Sequence, residues 1–287
     1  MRRIVRGTRL PLMLLATVLV LSACGGGGGG STPSISIGAA KSFALDGFQP
    51  AGNLTAGTPT TMSFRIDEPS GQPLTQYTEG NGPHTGVHLI LVNQGLSELV
   101  HLHPPIAADG TVSTKVTLPS PGNWRVLVDA YAKLPGQPPN FQLHRDIDVA
   151  GGGTAAPTVP ATFVPTVKSG GATFQVIGTP DVRNAEATIM RVRVTDAHGK
   201  PATFTPWFGA LAHAIFFQEG TLSYFHTHVC PPGDKVCAGT SAAVGSSPKP
   251  GELDVGVLLP GAGTWRMFLQ AMVDGKVLTA PFTLVAR

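Results

Sequence analysis

The chain has 287 residues, with 36 glycines, 26 prolines, 7% aromatic and 13% charged side chains. Its 20 Lys and Arg outweigh 17 Asp and Glu, but residues 1–23 hold four Arg and no acid, so the remainder is 16 basic against 17 acidic, or −1. That balance gives no electrostatic basis for a nucleic acid or an anionic lipid surface as partner.

Arg2, Arg3, Arg6 and Arg9 precede the apolar run "LPLMLLATVLVLSA". This is the n-region and h-region order of a secretory signal peptide, and the run is shorter than a bilayer span requires. Leu21-Ser22-Ala23-Cys24 resembles the lipobox at which bacterial lipoproteins are cleaved and acylated on the cysteine. The expectation is a signal peptide over 1–23, then an acylated Cys24 and a flexible Gly-rich tether over 24–40. A lipid anchor would hold the protein to a membrane of the bacterial cell envelope, facing the periplasm or exterior. Gly25, not Asp, follows Cys24, which permits outer-membrane sorting where such a membrane exists. The six glycines satisfy G-x-G-x-x-G trivially, without a βαβ context to give it meaning.

The mature part reads as all-β. "TTMSFRID", "GVHLILV", "TVSTKVTLP", "NWRVLVDAY", "ATIMRVRVTD", "AHAIFFQ", "GTWRMFLQAM" and "APFTLVA" are short, β-branched or alternating, and broken by turn residues. Frequent turns predict antiparallel sandwiches of Ig-like type. The Gly/Pro/Ala/Thr stretch over 150–166 predicts a linker between one sandwich at 41–149 and a second at 167–287.

The two halves are a tandem repeat. His88, His101 and His103 map onto His213, His226 and His228 at an offset of 125. Gly110, Pro119, Trp124 and Arg125 map onto Gly251, Pro260, Trp265 and Arg266 at an offset of 141, and "SGQP" aligns with "HGKP" at 128. The 16-residue difference between 125 and 141 is an insertion after the second histidine group. Trp124 and Trp265 each follow a Pro-Gly type turn and are expected to fill a sandwich core.

The repeated histidines carry the chemistry. A two-residue turn at Gln94-Gly95 would set His88 opposite His101, and one at Glu219-Gly220 would set His213 opposite His226. Residues i and i+2 share a face, so His88, His101 and His103 would project from one hairpin face, and His213, His226 and His228 from another. His84 has the parity to join the first group, and Cys230 the second. Three imidazoles with an open position suit Cu(II), Zn(II) or Ni(II). Met62, Met190, Met267 and Met272 form no cluster that would favour Cu(I). The residues therefore suggest a metal ion as partner, copper first and zinc as the alternative. A polar structural cluster, copied by the duplication along with the fold, is the competing reading. His144 is a weaker ligand candidate and His198 a turn residue. Cys230 and Cys237, in an oxidising compartment, are expected to form a local disulfide.

No G-x-S-x-G, P-loop or H-E-x-x-H is present, and Asp67, Asp129, Asp148, Asp196, Asp254 and Asp274 read as single acids at strand ends or turns. Nothing here suggests an enzyme, and a copper enzyme with an open three-His position ranks last.

"GVHLILVNQGLSELVHLHP" with "LPSPGNWRVLVDAY", and "LAHAIFFQEGTLSYFHTH" with "LPGAGTWRMFLQAM", resemble a group of exported bacterial β-sandwich proteins, the YtkA-like or copper-associated Ig-like domains. The resemblance covers both repeats and implies an extracytoplasmic heavy-metal role. A tandem Ig-like interaction module without metal is the alternative function.

Overall fold

The computed structural model describes residues 43–78, 86–136, 140–229, 231–233 and 249–287. The signal and tether, with Cys24, lie outside these residues, as do His84, Cys230 and Cys237. The expected lipidation, the seventh histidine and the disulfide therefore receive no structural account. Within the described residues there are strands and no helices.

The first repeat supplies β1 (Ala44–Gln49), β2 (Leu54–Thr55), β3 (Thr60–Asp67), β4 (Val87–Asn93), β5 (Leu99–Leu102), β6 (Val112–Val116), β7 (Gly122–Ala130) and β8 (Phe141–Ala150). The second supplies β9 (Thr166–Ser169), β10 (Ala172–Val176), β11 (Thr188–Thr195), β12 (Phe204–Thr205), β13 (Ala212–Gln218), β14 (Tyr224–Val229), β15 (Glu252–Val257), β16 (Gly263–Val273) and β17 (Lys276–Ala286). In the first repeat a β1-β3-β6 sheet faces a β2-β8-β7-β4-β5 sheet. In the second a β15-β11-β10-β9 sheet faces one built of β17, β16, β13 and β14, with β12 pairing the end of β16. All ladders are antiparallel except β2 on β8. The chain is an all-β protein of two sandwiches.

Alternation explains the layers. In β3 the residues Met62, Phe64 and Ile66 are buried and their neighbours are not, as expected for a sheet with one solvated face. β4 and β13 break that rule. All seven residues of β4 are buried, and so are the first six of β13. Leu89 and Leu91 face the core of their own sandwich, whereas Ile90 and Val92 belong with Leu96, Leu127, Ile215, Phe217 and Phe268 to a third core. That third core is the seam where the two repeats meet. Ile90 and Ile215, Val92 and Phe217, and Leu127 and Phe268 are equivalent positions of the duplication. The same patch of each repeat thus packs on its own copy, an isologous interface inside one chain.

Trp124 and Trp265 lie in the two sandwich cores, and each indole donates to the carbonyl four residues earlier, Ser120 at 3.1 Å and Gly261 at 2.9 Å. Gly110 and Gly251 are equally matched. Both have positive φ, and a Cβ at either would lie 2.6 Å from a backbone oxygen, that of Leu74 or of Val194. Only glycine fits there.

The segment between the repeats is tied to both. Thr154 N–H donates to Pro119 O at 2.8 Å in the first, and Pro160 O accepts from Arg266 Nη1 at 3.1 Å in the second.

Candidate metal centre

The register of the histidine hairpins differs from the expected one by two residues. In β4–β5, Ile90 pairs with His101, and in β13–β14, His213 pairs with His228 and Ile215 with His226. The turns are longer than two residues. Asn93 N–H bonds Glu98 O, and the Asn93 side chain accepts from Ser97 N at 2.8 Å and Glu98 N at 3.0 Å. This loop sends Leu96, at φ 51°, into the seam between repeats. Gln218 N–H bonds Ser223 O to close the second loop. A shift of two preserves strand parity, so each histidine keeps its expected face.

The two faces meet, and His88, His101 and His103 converge within the first repeat as expected. The seam brings His88, His101, His103, His213, His226 and His228 into one cluster at the end of the apolar patch. Ring centroids lie 4.3 Å apart for His88–His103, 4.9 Å for His88–His226, 5.1 Å for His101–His213 and 5.4 Å for His101–His226. The contacts His88–His226 and His213–His101 are exchanged by the pseudo-twofold, and His101–His226 lies across it. His144 is exposed on β8 opposite Leu127 and joins none of the converging groups. His198 occupies a turn, its N–H donating to Asp196 Oδ1 at 2.8 Å.

Hydrogen bonding sets two tautomers. His213 Nε2 lies 2.9 Å from the backbone oxygen of Trp207, which can only accept, so that nitrogen carries the proton. His213 Nδ1 keeps its lone pair and lies 3.1 Å from His226 Nε2. His101 Nδ1 lies 3.2 Å from Gln270 Oε1, whose amide nitrogen donates to Thr279 Oγ1 at 3.0 Å. His101 Nε2 then keeps its lone pair, 3.2 Å from His103 Nε2. Two nitrogens bound to one tetrahedral ion at about 2.0–2.1 Å sit about 3.3 Å apart, close to these separations. Donating the outer nitrogen to an oxygen is also how metal-ligating imidazoles are oriented in general.

The surroundings favour neutral imidazoles. Burial, then the neighbouring histidines, holds His101, His213 and His226 well below the usual value of 6.5. Trp207 and Phe208 cover one side, Phe208 stacking on His103 at 3.8 Å. They sit on a tight turn in which Trp207 and Ala210 exchange both backbone hydrogen bonds, with Phe208 at φ 48° and Gly209 at φ 75°.

Residues beyond the histidines complete the site. Asp129, next to last in β7, is a strand-end acid as expected but not an isolated one. It pairs directly with His88 in the β4–β7 ladder and is 1% exposed. Its counterpart at the 141 offset, Gln270, pairs directly with His213. Tyr131 and Tyr224 both donate to Asp129 Oδ2, at 3.4 and 3.2 Å. Asp129 shares the parity of Leu127 in "LVDAY", the signal by which the sequence could have shown it. Trp207 and Phe208 lie outside both repeat alignments and offered no such signal. Three overlapping groups emerge: His88, His101 and His103; His101, His213 and His226; His88, Asp129 and His226. In each, the ligand atoms lie within 4.8 Å of one another.

Fold and site together define a duplicated β-sandwich protein with a buried imidazole cluster at the seam of its repeats. The chain belongs to the family described as Domain of unknown function (DUF8832), whose model matches residues 45–135 and 166–287. No curated protein matches the chain. Among solved structures it is similar to a tetra-tandem repeat in the extending region of a large adhesion protein, at 12% identity and TM-score 0.26, covering 85% of this chain and 49% of that one. It is similar to invasin, a bacterial integrin-binding protein, at 15% identity and TM-score 0.23, covering 86% and 38%. The fibronectin(III)-like modules of Clostridium thermocellum CbhA match at 12% identity and TM-score 0.21, covering 85% and 92%. The chain thus spans about half or less of the first two. Its all-β class rests on its own ladders.

Proposed function

We propose that this is a lipid-anchored protein of the bacterial cell envelope that binds a transition metal, copper or alternatively zinc, between its two repeats, in metal homeostasis or delivery. The observation that carries the reading is the pair of pinned imidazoles. His101 and His213 each give their outer nitrogen to an oxygen and turn a lone pair toward another imidazole. Neutral, desolvated and nitrogen-rich surroundings suit a borderline ion. The reading joins the two expected sites in one cluster, in which His88, His101 and His103 converge within the first repeat and the other two groups draw on both repeats.

The anchored mature protein, without a purification tag, is titrated with Cu(II) and Zn(II) by calorimetry. Stoichiometric binding that disappears in the His101→Ala, His226→Ala double variant is expected. Absence of binding, or binding unchanged in that variant, refutes it. One observation favours a second reading, a metal-free interaction module: the imidazole pairs at 3.1 and 3.2 Å already satisfy one another as hydrogen bonds. In that case the double variant loses stability and no metal affinity.

A further inference from the structure

The two halves of the cluster differ in the strand opposite the first histidine, which contributes a carboxylate, Asp129, in one repeat and an amide, Gln270, in the other. We propose that His88, Asp129 and His226 form a distinct metal position, a two-imidazole, one-carboxylate site for a divalent first-row ion at the seam of the repeats. The proposal rests on the metal-binding reading above and names the ion class that the site selects.

Three strands supply the ligands: β4 gives His88, β7 gives Asp129 and β14 of the other repeat gives His226. Their ligand atoms lie within 4.8 Å of one another, so side-chain rotation of an ångström or so closes them on an ion at about 2.0–2.2 Å. The carboxylate is held in place. Asp129 Oδ1 accepts from Asn140 Nδ2 at 3.0 Å and Gln142 Nε2 at 3.1 Å. Its Oδ2 accepts from Tyr224 and Tyr131 and lies 3.7 Å from His88 Nδ1. Every one of these hydrogen-bond donors is a neutral group. A carboxylate 1% exposed, with amides and phenols for partners, is costly to bury as an anion unless a cation compensates it. A divalent ion ligated by His88 and His226 supplies that charge on the side that Oδ2 faces.

The second half shows what the site is without it. Gln270, at the position equivalent to Asp129, spends its oxygen on His101 and its nitrogen on Thr279. It orients an imidazole and brings no charge. The all-nitrogen group of His101, His213 and His226 therefore brings no negative charge to favour a divalent ion over Cu(I), while the Asp129 group does. Carboxylate oxygen with imidazole nitrogen suits Zn(II), Co(II) or Cu(II) and disfavours Cu(I).

The test compares wild type with Asp129→Asn in the full mature chain, using Zn(II) alone and Cu(I) alone as probes. The Asn variant is expected to weaken Zn(II) at least about tenfold and to hold Cu(I) within about threefold. Unchanged Zn(II) affinity overturns the proposal, and so does an equal loss for both ions. Should the variant not fold, zinc X-ray absorption on wild type decides. Two imidazoles with an oxygen neighbour support the site, and an all-nitrogen shell overturns it. Wild type that binds neither ion overturns the broader metal reading, a result distinct from any of these.

Discussion

The two repeats agree in what builds the sandwich and differ in what lines the seam. Trp124 and Trp265 make the same i−4 indole bond, Gly110 and Gly251 meet the same kind of carbonyl, and Ile90, Val92 and Leu127 face Ile215, Phe217 and Phe268. Yet Asp129 stands where the other copy has Gln270, and the tyrosines donating to it, Tyr131 and Tyr224, correspond to Met272 and Leu99. A frame position answers to local geometry, which duplication reproduces. A polar position at the seam answers to the other copy, and once both copies share a chain the two sides can diverge.

The largest effect expected from this difference is on acid stability of the metal-free protein. His101, His213 and His226 are held below 6.5 in the fold, so the unfolded chain binds protons that the folded one refuses. Stability is therefore complete above 6.5 and falls as pH drops through and below it, by up to about 1.4 kcal/mol per pH unit for each refused proton. Burial pushes Asp129 the other way, up from 3.8, against the four donors that lower it. Its raised value means that its contribution improves as pH falls toward it. Asp129→Asn removes that offset and should steepen the acid loss. Urea midpoints at pH 7.5 and 5.5 measure the histidine effect, and midpoints from pH 5.5 down toward 3.8 measure the Asp129 offset; a midpoint that is flat or rises between 7.5 and 5.5 contradicts the buried neutral cluster.

The frame should instead respond symmetrically. Trp124→Ala and Trp265→Ala each empty a sandwich core and should each cost about 3–5 kcal/mol by urea unfolding. Costs that differ by more than about 2 kcal/mol would mean that the two cores are not equivalent supports for the seam. Neither change should alter the metal stoichiometry of the protein that remains folded.

Much of this arrangement is legible in the sequence. Short β-branched or alternating runs marked β3, β4, β6, β7, β11, β13, β16 and β17, and constant offsets marked the duplication, because both are local or internal properties of the string. The short strands β2, β9 and β12 carry too few residues for a pattern. The hairpin register escaped for a specific reason. Gly95 and Gly220 suggested two-residue turns, but the Asn93 side chain ties Ser97 and Glu98 into a longer loop. The meeting of the two histidine faces at one seam was also hidden. "HLILV" and "HAIFF" are apolar on both faces, which tells that something covers the outer one but not that the cover is the other repeat.

The smallest effect tests the one frame position where the copies part company. Arg125 and Arg266 are aligned, and both follow the core tryptophan. Arg125 forks onto Asp146 at 2.7 and 2.9 Å, but Asp146 is 61% exposed, and water replaces most of what the pair provides. Arg266 is buried, and its Nη1 donates to Thr283 Oγ1 and to Pro160 O in the segment between repeats. Removing it takes the donor from the Thr283 hydroxyl and one of two donors from the Pro160 carbonyl, which Thr283 Oγ1 still serves. Arg266→Ala should therefore cost about 1–3 kcal/mol. Arg125→Ala should cost about 0–1 kcal/mol, and less still at high salt. Equal costs would mean that the Arg266 bond to Pro160 contributes nothing beyond what Thr283 already provides. In that case the seam is held by its apolar core, its histidines and the bond from Tyr224 to Asp129.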